Sequence, residues 1–81
     1  MTTQDHYEIL QVHPKADAAA IEAAYRRLID QYDPARVNGA AEEIVELVRR
    51  RREALEAAYA VLSDPERRAA YDAELSALQA P

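Results

Sequence analysis

With 81 residues, the chain has room for one small domain, so its function must sit on a single core or on that core's surface. Apolar residues make up 49% of it, but 18 are Ala and the only aromatics are five Tyr, so the core is expected to be thin. A net charge of −5 argues against nucleic acid as the main partner, and the absence of Cys excludes disulfides, a thiolate nucleophile and cysteine-ligated zinc.

The first periodic segment covers residues 5–10, with Tyr7 and Leu10 three apart on one face and Thr3 or Asp5 available as a cap. Pro14 then forces the chain out of helical geometry, and Asp17 is placed to cap a second helix over residues 18–32. Its larger apolar residues, Ile21, Tyr25, Leu28, Ile29 and Tyr32, follow the spacing of one helical stripe. Pro34 ends that helix, and residues 33–39 read as a loop in which Asn38 and Gly39 signal a turn.

A third helix is predicted from about residue 40 to Leu62, the longest element, with Ile44, Leu47, Val48, Leu55, Ala58, Tyr59 and Leu62 on one face. Glu42 and Glu43 fall favourably near its positive N-terminal end. Ser63-Asp64-Pro65-Glu66 supplies a cap followed by proline at a first helical position. The fourth helix runs from there to about residue 78, with Ala69, Tyr71 and Leu75 towards the body and Arg67 and Arg68 towards water. Strand signals are absent. Residues 1–75 form the domain, and residues 76–81 read as a fraying tail or the start of a linker. No stretch approaches the ~20 apolar residues that cross a bilayer, and no basic segment followed by an apolar run opens the chain, so a soluble, cytoplasmic monomer is expected.

Specific strings narrow the class. Asp5-His6-Tyr7-Glu8-Ile9-Leu10 resembles the opening of J-domains, the DnaJ-like family, and Ile21 through Ala24-Tyr25-Arg26-Arg27-Leu28 to Tyr32 resembles their second helix. The run from Ala58-Tyr59 through Leu62-Ser63-Asp64-Pro65 to Tyr71-Asp72 is similar to the end of their third helix and to their fourth. This resemblance covers about residues 5–75 and implies an all-α, four-helix fold built on a long antiparallel hairpin of helices II and III. It also implies docking on the ATPase domain of a DnaK-type heat-shock chaperone, through the basic face of helix II and a His-Pro-Asp tripeptide in the loop after it.

Carried onto this chain, the resemblance assigns partner binding to Tyr25, Arg26, Arg27, Asp33, Pro34 and Ala35. Within the tripeptide only Pro34 matches: Asp33 takes the place of the histidine and Ala35 that of the aspartate. His13-Pro14 precedes helix II and continues with Lys15, so it does not supply the signature. Glu22, Asp30 and Gln31 also reduce the positive character of helix II. Tyr25 stays open between a partner-facing and a core role.

The spacing from Asp33 to Ala58 is about five residues longer than is usual in the family, and Arg52 falls where the family has a core Phe. Pairing Leu55 with Leu28 and Leu62 with Ile21 sets Arg51 beside Tyr32 and Arg50 beside Asp33. Arg49 to Arg52 therefore have two readings. One is a solvated face with local pairs such as Glu46 to Arg50; the other pairs the arginines with Asp30 and Asp33 beneath a tip closed by Val37, Ile44 and Val48.

An enzyme reading has little to use, because His6 and His13 are the only histidines and neither belongs to a metal or acid–base motif. Tyr7, Tyr59 and Tyr71 are expected to supply core area with their hydroxyls at the surface. No cofactor and no metal is expected. The chain therefore reads as a co-chaperone-like interaction module, weak or inactive in stimulating ATP hydrolysis, or as a J-like scaffold for another protein or another domain of its parent chain. Nucleic-acid binding through the four arginines is a third reading, disfavoured by the overall charge and the lack of interleaved aromatics.

Overall fold

The computed structural model describes residues 5–79, which form four α-helices and one 3-10 turn, without strands among the described residues. Helix α1 spans His6–Leu10 and starts where the Asp5 carboxylate accepts the Glu8 N–H at 2.8 Å. It stops at Gln11, which adopts left-handed backbone with φ 58° and returns its N–H to the carbonyls of Tyr7 and Glu8. Helix α2, Ala18–Gln31, opens the same way: the Asp17 carboxylate accepts the Ala20 N–H at 2.8 Å.

Helix α3 runs Glu42–Leu62, two residues later than the sequence predicted, and Ala41 offers it no side-chain cap. Glu42 and Glu43 lie in its first turn, where the exposed N–H groups favour negative charge. Helix α4, Pro65–Gln79, begins where Asp64 accepts the N–H groups of Glu66 at 2.9 Å and Arg67 at 3.4 Å. The segment predicted as plain loop contains a 3-10 turn, Pro34–Val37, because Asp33 caps it and Pro34 occupies a first position where no N–H is needed.

The spine of the molecule is α3, on which α1, α2, the 3-10 turn and α4 all pack, giving an elongated body of 47 × 30 × 17 Å. Tyr7, Leu10, Ile21, Leu28, Leu55, Ala58 and Leu62 form one buried cluster, with Tyr25, Ile29, Tyr32, Tyr59, Tyr71 and Leu75 half-buried around it. The expectation of a thin core is met.

Four expected positions are corrected. Ile44 and Leu47, read as core-facing, are 46% and 51% exposed. The cause is length: 21 residues of α3 extend roughly 32 Å against roughly 21 Å for the 14 of α2, so the first turns of α3 outrun their partner. Ala69 is exposed instead of turned to the body.

Arg68, expected in water, is half-buried and holds the open end of the hairpin together. Its Nε donates to the Tyr7 hydroxyl at 3.1 Å, and Nη2 donates to the carbonyls of Pro14 at 3.1 Å and Ala16 at 2.6 Å. The guanidinium also lies 5.5 Å from the centre of the Tyr7 ring. Tyr7 in turn donates its hydroxyl proton to Asp72, and the Tyr71 hydroxyl accepts the His6 N–H at 2.9 Å. Burial, reinforced by Asp72, raises the Tyr7 hydroxyl above its ordinary pKa, and burial does the same for Tyr71.

Candidate functional site

The residues singled out for partner binding fall on the outer side of α2 and on the turn that follows it. Burial of Ile21, Ala24 and Leu28 against α3 fixes the rotation of α2 and leaves Arg26 and Arg27 exposed. Tyr25 takes an intermediate place: one ring face stacks on Tyr59, with centres 4.1 Å apart and planes within 9° of parallel, and the residue is half-buried. The core role left open for it is therefore partly filled, and part of the residue stays exposed.

Local pairing tempers the charge of this face. Arg26 donates to Glu22 at 2.7 Å across one helical turn, whereas Arg27 has no ion pair among the described residues. Both partners of the Arg26 pair are largely exposed, so solvent screens the contact and leaves the guanidinium able to rearrange.

The turn is held by its own backbone and by two arginines. Asp33 accepts the Ala35 N–H at 3.0 Å, which commits its carboxylate to capping the 3-10 turn. Arg36 reaches back to α2, donating to the Asp30 carbonyl at 2.9 Å and the Asp30 carboxylate at 3.0 Å. From the other arm, Arg52 donates to the Ile29 carbonyl at 3.0 Å and the Tyr32 carbonyl at 3.4 Å. Two cations thus sit on the C-terminal carbonyls of α2, where the helix end is negative. Ala35 is exposed and brings no polar group.

The pairing of Asp30 and Asp33 with the arginine run is not formed. Asp30 pairs with Arg36 instead, Asp33 caps its own turn, and Arg50 turns back along α3 to Glu46 at 3.2 Å, the local pair expected of a solvated face. Arg49 bridges Glu46 and Glu53, and its hydrogen bond holds the Glu46 carboxyl down at about 2. The predicted arm-to-arm register is met at Arg51, which lines a small hollow with Leu28 and Tyr32. Sequence reasoning missed the roles of Arg36 and Arg52; the signal for Arg52 was its place opposite the end of α2.

Beside the turn, Pro34, Val37, Val45 and Val48 floor a groove of about 320 Å³ rimmed by Arg49, Arg52, Glu53 and Glu56. At the other end of the molecule the His6 ring packs on Tyr71 with centres 4.4 Å apart, which is a packing role. No cluster of metal-ligating side chains occurs among the described residues, and none of their helices is long and apolar enough to cross a membrane.

Comparison with known proteins places this architecture. The chain is 43% identical over 74 residues to a "Chaperone protein DnaJ" of Acidithiobacillus ferrooxidans, covering 89% of this chain and 18% of that protein. It is 45% identical over 74 residues to a "Curved DNA-binding protein" of Pseudomonas syringae, covering 89% of this chain and 21% of that protein. An "Adaptation to cold protein J" of Shewanella oneidensis is 39% identical over 67 residues, 83% of this chain and 71% of the relative. The chain spans about a fifth of the length of the DnaJ proteins it matches. The family model described as "DnaJ domain" matches residues 5–72, which hold α1, α2, the turn, α3 and the first half of α4, and the chain belongs to that family.

Proposed function

We propose that this chain is a J-domain-like co-chaperone module that docks on the ATPase domain of a DnaK-type chaperone and stimulates ATP hydrolysis weakly or not at all. Docking would use Tyr25, Arg26 and Arg27 on α2 with Asp33, Pro34 and Ala35 at the turn. The observation that carries the second half is the chemistry of that turn. Where the family resemblance calls for a histidine ring and an aspartate carboxylate flanking proline, this chain offers a carboxylate already used on the Ala35 N–H and a methyl group. Neither can present the required donor or anion at the same place. Arg27 on the face of α2 is exposed and has no ion pair among the described residues, which supports residual electrostatic docking.

A cytoplasmic setting and a non-enzymatic role accompany this reading. The Pseudomonas relative's name concerns a protein about five times as long as the match, and the −5 charge of this chain disfavours DNA as a direct partner. A second reading is favoured by Glu22 and Asp30 on the docking face: the fold serves as a scaffold for another protein or another domain of its parent chain.

Single-turnover ATP hydrolysis by the DnaK-type chaperone of the same organism tests these readings, with the natural chain and with Asp33→His/Ala35→Asp. Stimulation by the double variant alone is the expected result. Acceleration by the natural chain would overturn the weak-stimulation reading, and silence of both, with no binding to the ATPase domain, would favour the scaffold.

A further inference from the structure

The first turns of α3 carry a pattern that the proposed docking function does not use. Ile44 and Leu47 lie 46% and 51% exposed, and with Glu43, Glu46 and Arg50 they line a shallow groove of about 460 Å³. Charge is segregated along the same stretch: Glu42, Glu43 and Glu46 precede Leu47, and Arg49 to Arg52 follow it. The carboxylates of Glu42 and Glu43 and the guanidinium of Arg51 have no ion-pair partner among the described residues. An acidic half, an apolar centre and a basic half make a surface complementary to its own reverse.

We propose that this overhang is a self-association surface, on which two copies of the chain pair through Ile44 and Leu47 with their α3 helices antiparallel. A two-fold axis at Leu47 sets Leu47 on Leu47 and brings Glu43 of each copy opposite Arg51 of the other, with Glu42 and Arg50 beside them. Antiparallel pairing forms each of these contacts twice, whereas parallel pairing would set Glu43 on Glu43 and Arg51 on Arg51. A foreign partner would need the same two signs in the opposite order along an apolar helix, which a second copy supplies without further assumption. None of Tyr25, Arg26, Arg27 and the turn takes part, so the proposal stands apart from the docking reading. It replaces the monomer expected from the sequence with a weak dimer, because an overhang of about ten residues buries less than the ~1,200 Å² of a standard interface.

Sedimentation from about 10 µM to about 1 mM at low salt tests the proposal, with helical circular dichroism as the fold check. Two charge variants are compared with the natural chain: Glu42→Lys/Glu43→Lys and Arg50→Glu/Arg51→Glu. The natural chain is expected to approach twice its monomer mass, each variant alone to associate at least about tenfold more weakly, and their equimolar mixture to recover the natural behaviour. A natural chain that stays monomeric to about 1 mM, a variant that associates as well as the natural chain, or a folded mixture that fails to recover would each overturn it. Should the arginine variant fail to fold, the exposed substitution Leu47→Lys decides: at least tenfold weaker association upholds the surface, and unchanged association removes it.

Discussion

Arg68→Ala should be among the more damaging single changes at a charged position of this molecule. The guanidinium donates three hydrogen bonds, to the Tyr7 hydroxyl and to the carbonyls of Pro14 and Ala16, and these tie α4 to α1 and to the segment entering α2. A hydrogen bond from a charged donor is worth about 1.5–3 kcal/mol net. Three of them share one half-buried group, so solvent screening reduces their joint contribution to about 2–4 kcal/mol. Set against roughly 4–12 kcal/mol of total stability for a domain of this size, that is a large share. With a urea slope of about 1 kcal/mol/M, the unfolding midpoint should fall by about 2 M or more. Arg67→Ala is the matched control, because Arg67 is exposed and reaches Asp64 only at 4.0 Å; its stability should stay within about 0.5 kcal/mol of the natural chain. Arg68→Lys should recover less than half of the loss, since one ammonium cannot span three acceptors. Equal midpoints for Arg68→Ala and Arg67→Ala would refute the reasoning.

Two further perturbations probe the tip and the clasp. Arg52→Ala removes charge-assisted donors from the Ile29 and Tyr32 carbonyls and should cost about 1–2 kcal/mol in urea unfolding; no loss would mean that water serves those carbonyls equally well. Alkaline pH should destabilise the fold, because Tyr7 and Tyr71 have folded-state values raised above 10.0, first by burial. The native state holds both protons more tightly than the unfolded chain does, so their contribution is intact below about pH 10 and is lost as pH rises through the folded values. Tyr7→Phe and Tyr71→Phe should each flatten that decline, and stability unchanged from about pH 9 to about pH 11.5 would contradict it.

Helix boundaries were legible because they are written in local chemistry: Asp5, Asp17 and Asp64 cap, and Pro65 starts a helix where no N–H is needed. Asp33-Pro34 has the same signature as Asp64-Pro65, and its 3-10 turn escaped notice only because no apolar period follows it. The exposure of Ile44 and Leu47 was readable in principle from the unequal arms, since a stripe is buried only as far as something packs on it. Arg68 precedes Tyr71 and Leu75 by three and seven residues and so shares their inward stripe, but its charge masked that pattern. The aspartate partnerships at the tip were not legible, because the competitor Arg36 lies on a turn whose path no periodicity specifies.

The clasp between Tyr7 and Asp72 joins residues 65 apart, whereas the contact of Arg52 with Tyr32 spans 20. Loop-closure entropy grows with the logarithm of that separation and makes the clasp about 1 kcal/mol dearer to close. The hairpin of α2 and α3 should therefore gather first during folding, with α1 and α4 locking onto it last. Spontaneous opening of the native state runs in reverse, so α1 and α4 loosen while the arms of the hairpin stay joined. Arg68 meets the chain at Pro14 and Ala16, before α2 begins, whereas Ile9 and Gln11 at the other end of α1 border the hollow that Tyr32 and Arg51 share, so the loosening of α1 reaches from the open end of the hairpin towards the turn.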